Sequence, residues 1–247
     1  MSSISISLRE HLHPLIRNLA NRMEEVWQRY FDLQPYPLPP EMGYVEGRLE
    51  GEKLTIENRC YQTRQFRKLH LELAKVGKSL DILHCVMFPR IEYNLPMFGT
   101  DLVGGRGQIS AAIADLSPVS PDLTLPSIYR QQLQALPKVS FSQPRSLPDW
   151  GDIFSEFCLF IRPATEEEET VFLERVIAYL EIHCTTALQS NPVPTEEISQ
   201  VLAGQRYYCT KQRQNDKTRR VLEKAFGLEW AEHYMTNILF DIVEPAA

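Results

Sequence analysis

Leu69-His-Leu-Glu-Leu-Ala-Lys-Val-Gly-Lys-Ser-Leu-Asp-Ile-Leu-His-Cys-Val-Met-Phe88 is the stretch on which the fold turns. Leu69, Leu71 and Leu73 alternate with other residues, the period of a strand with one face in a core. Gly77 turns the chain, and residues 80–88 read as a second strand. Three ionisable side chains are set in the hairpin's most apolar runs, His70 and Glu72 in 69–73 and His84 in 82–88. A fourth, Asp101, follows in Phe98-Gly-Thr-Asp-Leu-Val103. Such residues are rarely buried unless paired or functional. Their clustering points to a site whose protons the protein manages, and so to acid/base or proton-coupled chemistry. Taken alone, a His or Glu in a strand is about two times in three a satisfied or half-exposed side chain.

His70 and Glu72 lie on one side of their strand. The turn decides whether His84 joins them. A two-residue loop at Gly77-Lys78 pairs Val76 with Ser79 and puts Glu72 and His84 on opposite faces. A three-residue loop containing the glycine puts them on the same face.

Working outward, Tyr44-Val-Glu-Gly-Arg-Leu-Glu-Gly-Glu-Lys-Leu-Thr-Ile56 reads as two strands joined at Glu50-Gly51. Residues 102–103 and 109–114 read as further strands, and 154–161 as a continuous apolar strand closed by Pro163. The Pro- and Ser-rich residues 116–149 read as irregular. Leu8, Leu12, Leu15, Leu19, Met23, Val26 and Tyr30 recur at helical spacing, with Pro14 in the first turn. Residues 166–183 form a helix with an acidic first turn, and 191–195 a loop. Residues 196–226 are helical in composition up to Gly227, and 228–243 hold a last helix. Hairpin-linked strands precede most of the helices. That order gives an α+β fold in which helices cover an antiparallel sheet, not alternating βαβ units. The 247 residues are read as a single domain, residues 1–247.

The composition, 43% hydrophobic and 23% charged, is globular. A net charge of −6 argues against general nucleic-acid binding. No apolar run reaches membrane-spanning length and no signal core follows the start, so a cytoplasmic protein is expected. The five cysteines are scattered without a Cys-x-x-Cys pair, which indicates neither disulfides nor a zinc or iron–sulfur site. His70-x-Glu72 matches half of a zinc deaminase signature, but no Pro-Cys-x-x-Cys follows. Gly104-Gly-Arg-Gly107 reads as a turn, and neither His-Glu-x-x-His nor Gly-x-Ser-x-Gly occurs. Basic residues gather in 61–78 (Arg64, Arg67, Lys68, Lys75, Lys78) and in 205–224 (Arg206, Lys211, Arg213, Lys217, Arg219, Arg220, Lys224). On an acidic protein these suit an acidic partner or an anionic ligand, with plain solvated surface weighted equally.

Six segments together resemble one family. They are Gly43-Tyr-Val-Glu-Gly-Arg-Leu-Glu-Gly51, Ile56-Glu-Asn-Arg-Cys-Tyr61, residues 69–88, Ser110-Ala-Ala-Ile-Ala-Asp-Leu-Ser117, Ile153-Phe-Ser-Glu-Phe-Cys-Leu-Phe-Ile-Arg-Pro163 and Asn215-Asp-Lys-Thr-Arg-Arg-Val-Leu-Glu-Lys-Ala-Phe226. The family is the ferredoxin-dependent bilin reductases, and the likeness runs from about residue 41 to the C-terminus. It implies a three-layer α/β/α sandwich with a central antiparallel sheet. It implies binding of biliverdin IXα between the sheet and the C-terminal helices. The reductant would be ferredoxin, whose two-iron, two-sulfur cluster belongs to the partner, with no intrinsic cofactor and no metal in this chain.

The nearest likeness is to the cyanobacterial members that make phycocyanobilin, the chromophore of phycobilisomes and phytochromes. These carry out a four-electron, radical-type reduction, at the D-ring exovinyl group first and the A-ring second. By resemblance His84 and Asp101 protonate the pyrrole system, Glu72 is the donor at the D-ring vinyl, and His70 is linked to His84 through hydrogen bonds. Asn215 and Lys217 would line the pocket, and Arg145 and Ser110 would hold the propionates. The basic clusters would then dock ferredoxin on a monomer, with no nucleic acid or membrane involved. A sibling reductase of different regiospecificity and a non-catalytic bilin carrier are the alternatives. The presence of Glu72, His84 and Asp101 together favours the enzyme, since a carrier needs only the anchors.

Overall fold

A computed structural model of the chain describes residues 7–243. Eight strands form one antiparallel sheet: β1 (Gln34–Pro35), β2 (Tyr44–Leu49), β3 (Glu52–Gln62), β4 (Phe66–Val76), β5 (Leu80–Pro89), β6 (Met97–Gly105), β7 (Gln108–Ser117) and β8 (Leu159–Ile161). Strands β3 to β8 lie side by side in chain order, and β1 and β2 both pair with β3. The β2–β3 hairpin closes through Glu50-Gly51, both at positive φ (52° and 87°), with Leu49 opposite Glu52. Two positive φ values match the right-handed twist of the flanking strands, which is why the second position is glycine.

The open question of the β4–β5 turn is resolved by register. Val76 pairs with Leu80 across the three residues 77–79, so Glu72 stands opposite His84 and Leu73 opposite Leu83. Odd positions of β4 and β5 (Leu69, Leu71, Leu73, Leu83, Cys85, Met87) therefore face one way. They pack beneath α1 (Pro14–Tyr30), α3 (Ser127–Ala135) and α4 (Glu166–Gln189). Leu15, Ile16, Leu19, Met23, Val26 and Trp27 form the buried stripe of α1. Each such side chain contributes about 1.5–3 kcal/mol by leaving water.

The even positions face the other layer. This holds the short α2 (Pro40–Gly43), α5 (Thr195–Gln212), α6 (Asp216–Phe226), α7 (Leu228–His233) and a π-helical turn, Tyr234–Leu239. Ala74, Val76, Val86, Phe88 and Met97 pack there against Val201, Tyr208, Leu222, Met235 and Ile238. The expected α/β/α sandwich is thus observed. Gly204 lets α5 lie against the backbone of Val119, where any Cβ would overlap the carbonyl.

Several element assignments differ from the sequence reading. Residues 127–135 are helical because Tyr129 and Leu133, one turn apart, bury against α4 and Tyr129 bonds to His183. Only 159–161 of the apolar run 154–161 pairs with β7. The Asp115 carboxylate takes the Ser155 N–H (2.9 Å) and hydroxyl (2.5 Å), holding the preceding chain off the ladder. The run 196–226 is two helices, because Asn215 caps a new start through Lys217 and Thr218 N–H. Helix α4 continues to Gln189, six residues beyond the expected 183. The last helix ends its regular turn at His233 and widens into the π turn. At the other end, residues 8–11 form a separate 3₁₀ turn before α1.

Candidate active site

One row of side chains crosses the sheet on the α5–α7 side. Asn58, Glu72, His84, Asp101, Ile113 and Phe160 are paired in succession across β3 to β8. Directly opposed residues share a face, so hairpin register brings the three ionisable members together. His70 sits two residues from Glu72 on the same face. Its side chain is fully buried, while Glu72 and His84 are each 7% exposed.

His84 Nδ1 lies 2.5 Å from Asp101 Oδ1. Burial works against a charged His84. The Asp101 charge and hydrogen bond, aided by Glu72, outweigh it and hold the imidazole above its ordinary pKa. His70 is the reverse case: burial, Lys68 and His84 hold it well below, so it stays neutral. Burial pushes Glu72 up, only partly offset by His84 and a hydrogen bond from Tyr234. An imidazole held above its ordinary pKa, an imidazole held well below it and a reluctant carboxyl thus lie within one patch. That arrangement can deliver protons to a molecule resting on the sheet, which is what a reducible conjugated ligand would need.

His70 and His84 are not bonded directly. Their rings meet edge to face at 6.1 Å, and His70 Nε2 instead lies 2.7 Å from Asn58 Oδ1. Neither His70 Nδ1 nor His84 Nε2 has a protein partner among the described residues.

Arg145 and Ser110 come together at the open end of the row. Arg145 Nη1 donates to the Ser110 carbonyl at 2.8 Å, and its guanidinium lies 5.1 Å from the centre of the Phe160 ring. Both residues are exposed, as anchors for an anionic group would be. The structure does not bring Asn215 and Lys217 into the buried group. Asn215 Oδ1 is taken by the N–H groups that start α6, and Lys217 is exposed. The basic run 61–78 is also not one face. Arg67 and Lys68 turn inward to Asp241, Lys75 pairs with Asp81, and Arg64 and Lys78 lie beyond opposite ends of β4. In 205–224, Arg219 is tied to Glu232, whereas Arg220 and Lys224 are exposed in pairs with Asp216 and Glu50.

Four further side chains in and around the row drew no notice in the sequence: Asn58, Tyr234, Phe240 and Asp241. Asn58 was legible as a polar residue in a strand, an uncommon place for Asn. Tyr234, Phe240 and Asp241 come from the far end of the chain and carry no local signal. The Phe240 ring meets His84 edge on at 5.4 Å, and Tyr234 bonds both Asn58 and Glu72. The segment is clasped by Lys68, which donates to the Ile238 carbonyl (2.8 Å) and to Asp241, and by Arg213, which donates to the Phe240 carbonyl (2.7 Å). Among the described residues no group of His, Cys, Asp or Glu is placed to hold a metal ion, and no helix is long and apolar enough to cross a membrane.

The sequence model of the family described as ferredoxin-dependent bilin reductase matches residues 20–241. The phycocyanobilin:ferredoxin oxidoreductase of Trichodesmium erythraeum is 65% identical over 229 residues, covering 93% of this chain and 94% of the relative. That of Synechococcus elongatus is 60% identical over 243 residues, covering 98% of each. Among solved structures, tomato phytochromobilin synthase in complex with biliverdin superposes with a TM-score of 0.72 at 16% identity. The match covers 91% of this chain and 82% of that one, and it shows a shared fold.

Proposed function

This chain belongs to the ferredoxin-dependent bilin reductases, and from that premise we propose how its buried row carries out the reaction. The chain is an oxidoreductase that reduces biliverdin IXα to phycocyanobilin with electrons from ferredoxin. Four electrons enter one at a time. Each must be matched by a proton, or negative charge accumulates on the pigment. The row Glu72–His84–Asp101 is the observation that carries this reading. It sets groups of opposed proton affinity side by side beneath the C-terminal layer.

In this reading the pigment lies between the sheet and the α5–α7 layer. His84 and Asp101 act as one pair, Asp101 stabilising the imidazolium that donates to the ring system and recovering it afterwards. Glu72 protonates the D-ring exovinyl group in the first two-electron reduction, and the A-ring is reduced second. His70 stays neutral and orients the pair's surroundings. Arg145 and Ser110 hold a propionate at the open end, where a guanidinium matches a carboxylate. Asn215 starts the helix that presents Lys217 at the rim. The reductant binds from outside, and exposed cations such as Arg220 and Lys224 supply attraction for an acidic donor.

Anaerobic incubation with biliverdin, reduced ferredoxin and a regenerating reductant, followed by chromatography, tests the function. Phycocyanobilin is the expected product. Recovery of unchanged biliverdin would mean a carrier, and a bilin reduced at other positions would mean a sibling reductase. The rate should fall as salt rises, because steering between charges is screened beyond roughly 8 Å at physiological ionic strength.

A further inference from the structure

Tyr234 lies at the centre of the site's buried hydrogen bonds and has no role in the reading above. Its hydroxyl is 2.6 Å from Glu72 Oε2 and 3.0 Å from Asn58 Oδ1. The identity of the Asn58 atoms is fixed by their partners. Nδ2 donates to the Met42 carbonyl at 2.7 Å, so Oδ1 is the atom facing Tyr234 and His70, and it can only accept. His70 Nε2, 2.7 Å from that oxygen, must therefore carry a hydrogen.

The phenol has one proton and two oxygens beside it. It can donate to Asn58 or to Glu72, not to both. While it donates to Asn58, the 2.6 Å contact to Glu72 is a hydrogen bond only if Glu72 supplies the proton as a carboxylic acid. Once Glu72 has given that proton away, the phenol can turn its O–H to the new carboxylate. Asn58 Oδ1 is then still satisfied by His70.

We propose that Tyr234 is the positioning residue for Glu72, a single O–H that serves the acid form by donating to Asn58 and the carboxylate form by donating to Glu72. The phenol keeps its proton throughout, since burial and the adjacent Glu72 make it a much weaker acid than usual. The only bond broken is Glu72 O–H, whose proton goes to the acceptor on the ligand. Rotation in place of proton transfer avoids rebuilding the site at each step, and a carboxylate in a dry patch needs such a donor. The geometry holds the ring for this task. Tyr234 stacks on Trp230 at 4.6 Å and 14°, and Trp230 lies on Phe226 at 4.1 Å.

The other groups facing Glu72 are His84 and, beyond it, Asp101 from β5 and β6, with His70 on its own strand. None of them replaces the phenol as a hydrogen-bond donor to Oε2 among the described residues. The catalytic consequence rests on the reductase reading, whereas the bond chain itself does not.

Infrared titration of the ligand-free protein tests it. The protonated-carboxyl band of Glu72 is identified as the signal that Glu72→Gln removes, which separates it from Asp115. That band should persist to higher pH than an ordinary carboxyl's, because burial favours the acid form of Glu72; a Glu72 that ionises at or below the ordinary carboxyl value overturns the proposal. Tyr234→Phe keeps the stacked ring and deletes the donor, so the carboxylate loses its partner. The midpoint should rise by about one pH unit or more, the worth of a hydrogen bond to a charged group. Asn58→Leu leaves the phenol with only Glu72 to donate to, so the midpoint should fall. Opposite shifts support the switch; an unchanged midpoint in Tyr234→Phe, or shifts of the same sign, overturn it. If one variant fails to fold, the sign of the other still decides. In turnover, the pH profile of D-ring reduction should move with each midpoint. If the midpoints shift as stated but the parent forms no reduced bilin, the reductase reading fails and the switch stands.

Discussion

His84 and Asp101 face each other across the β5–β6 ladder, with Nδ1 2.5 Å from Oδ1. The imidazole side chain is 9% exposed and the carboxylate 39%. One member is thus dry and the other touches water. A buried imidazole could not hold a proton near neutrality without that partner, and the partner's open side lets the pair exchange with solvent.

Asp101→Asn should lower the pKa of His84, because the carboxylate's charge is what raises it. With a folded value above the ordinary 6.5, the pair's contribution to stability is complete below that value. It is lost as pH rises through the folded value. The variant should lack this loss, and nuclear magnetic resonance of the His84 ring should show the earlier deprotonation. Under anaerobic reduction the variant should bind biliverdin, accumulate an organic radical seen by paramagnetic resonance, and yield little phycocyanobilin. Turnover near the parent rate would reduce Asp101 to an orienting group.

Glu72→Gln preserves shape and removes the exchangeable proton. Bilins that retain the D-ring vinyl should accumulate, with A-ring reduction less affected. Chromatography of the products reads the ratio directly, and a normal phycocyanobilin yield would exclude Glu72 as the vinyl donor.

Asp115 gives a pH-dependent stability away from the row. Burial pushes its carboxyl up to about 6 despite bonds from Ser155 and Ser117. A raised folded value means the folded protein binds the extra proton, so stability falls as pH rises from about 4 to about 6. Two pH units amount to roughly 3 kcal/mol. Denaturant unfolding of Asp115→Asn over that range should show the slope flattened, whatever the variant's absolute stability.

The C-terminal clasp should be costly to break from one side. The Lys68 side chain is 1% exposed, and Asp241 is its counter-charge. Asp241→Ala should destabilise the protein by roughly 3–5 kcal/mol, since an unpaired buried ammonium is left behind. Adding Lys68→Met should recover much of the loss. Hydrogen exchange should show the 240–243 segment released in the single variant, and thermal unfolding should rank the three proteins.

The sequence by itself determined the layers and the candidates. Strand alternation at Leu69, Leu71 and Leu73, the glycine turns and the helical spacing of Leu15, Leu19, Met23 and Val26 are local properties, and they fix which faces are apolar. The same alternation exposed His70, Glu72, His84 and Asp101 as anomalies, and the likeness to a family gave them roles. What the sequence left open was whether His84 shares a face with Glu72, because one residue in the 77–79 loop inverts every side chain of the next strand. Only the tertiary structure brought Asn58 and Tyr234 to Glu72, and Asp241 to Lys68. Tyr234 is 162 residues from Glu72, and no local pattern encodes a contact of that span. The π-helical turn Tyr234–Leu239 that carries Tyr234 is likewise packed into the core of the C-terminal layer. The layers follow from periodicity, whereas the hydrogen-bonded site follows from packing.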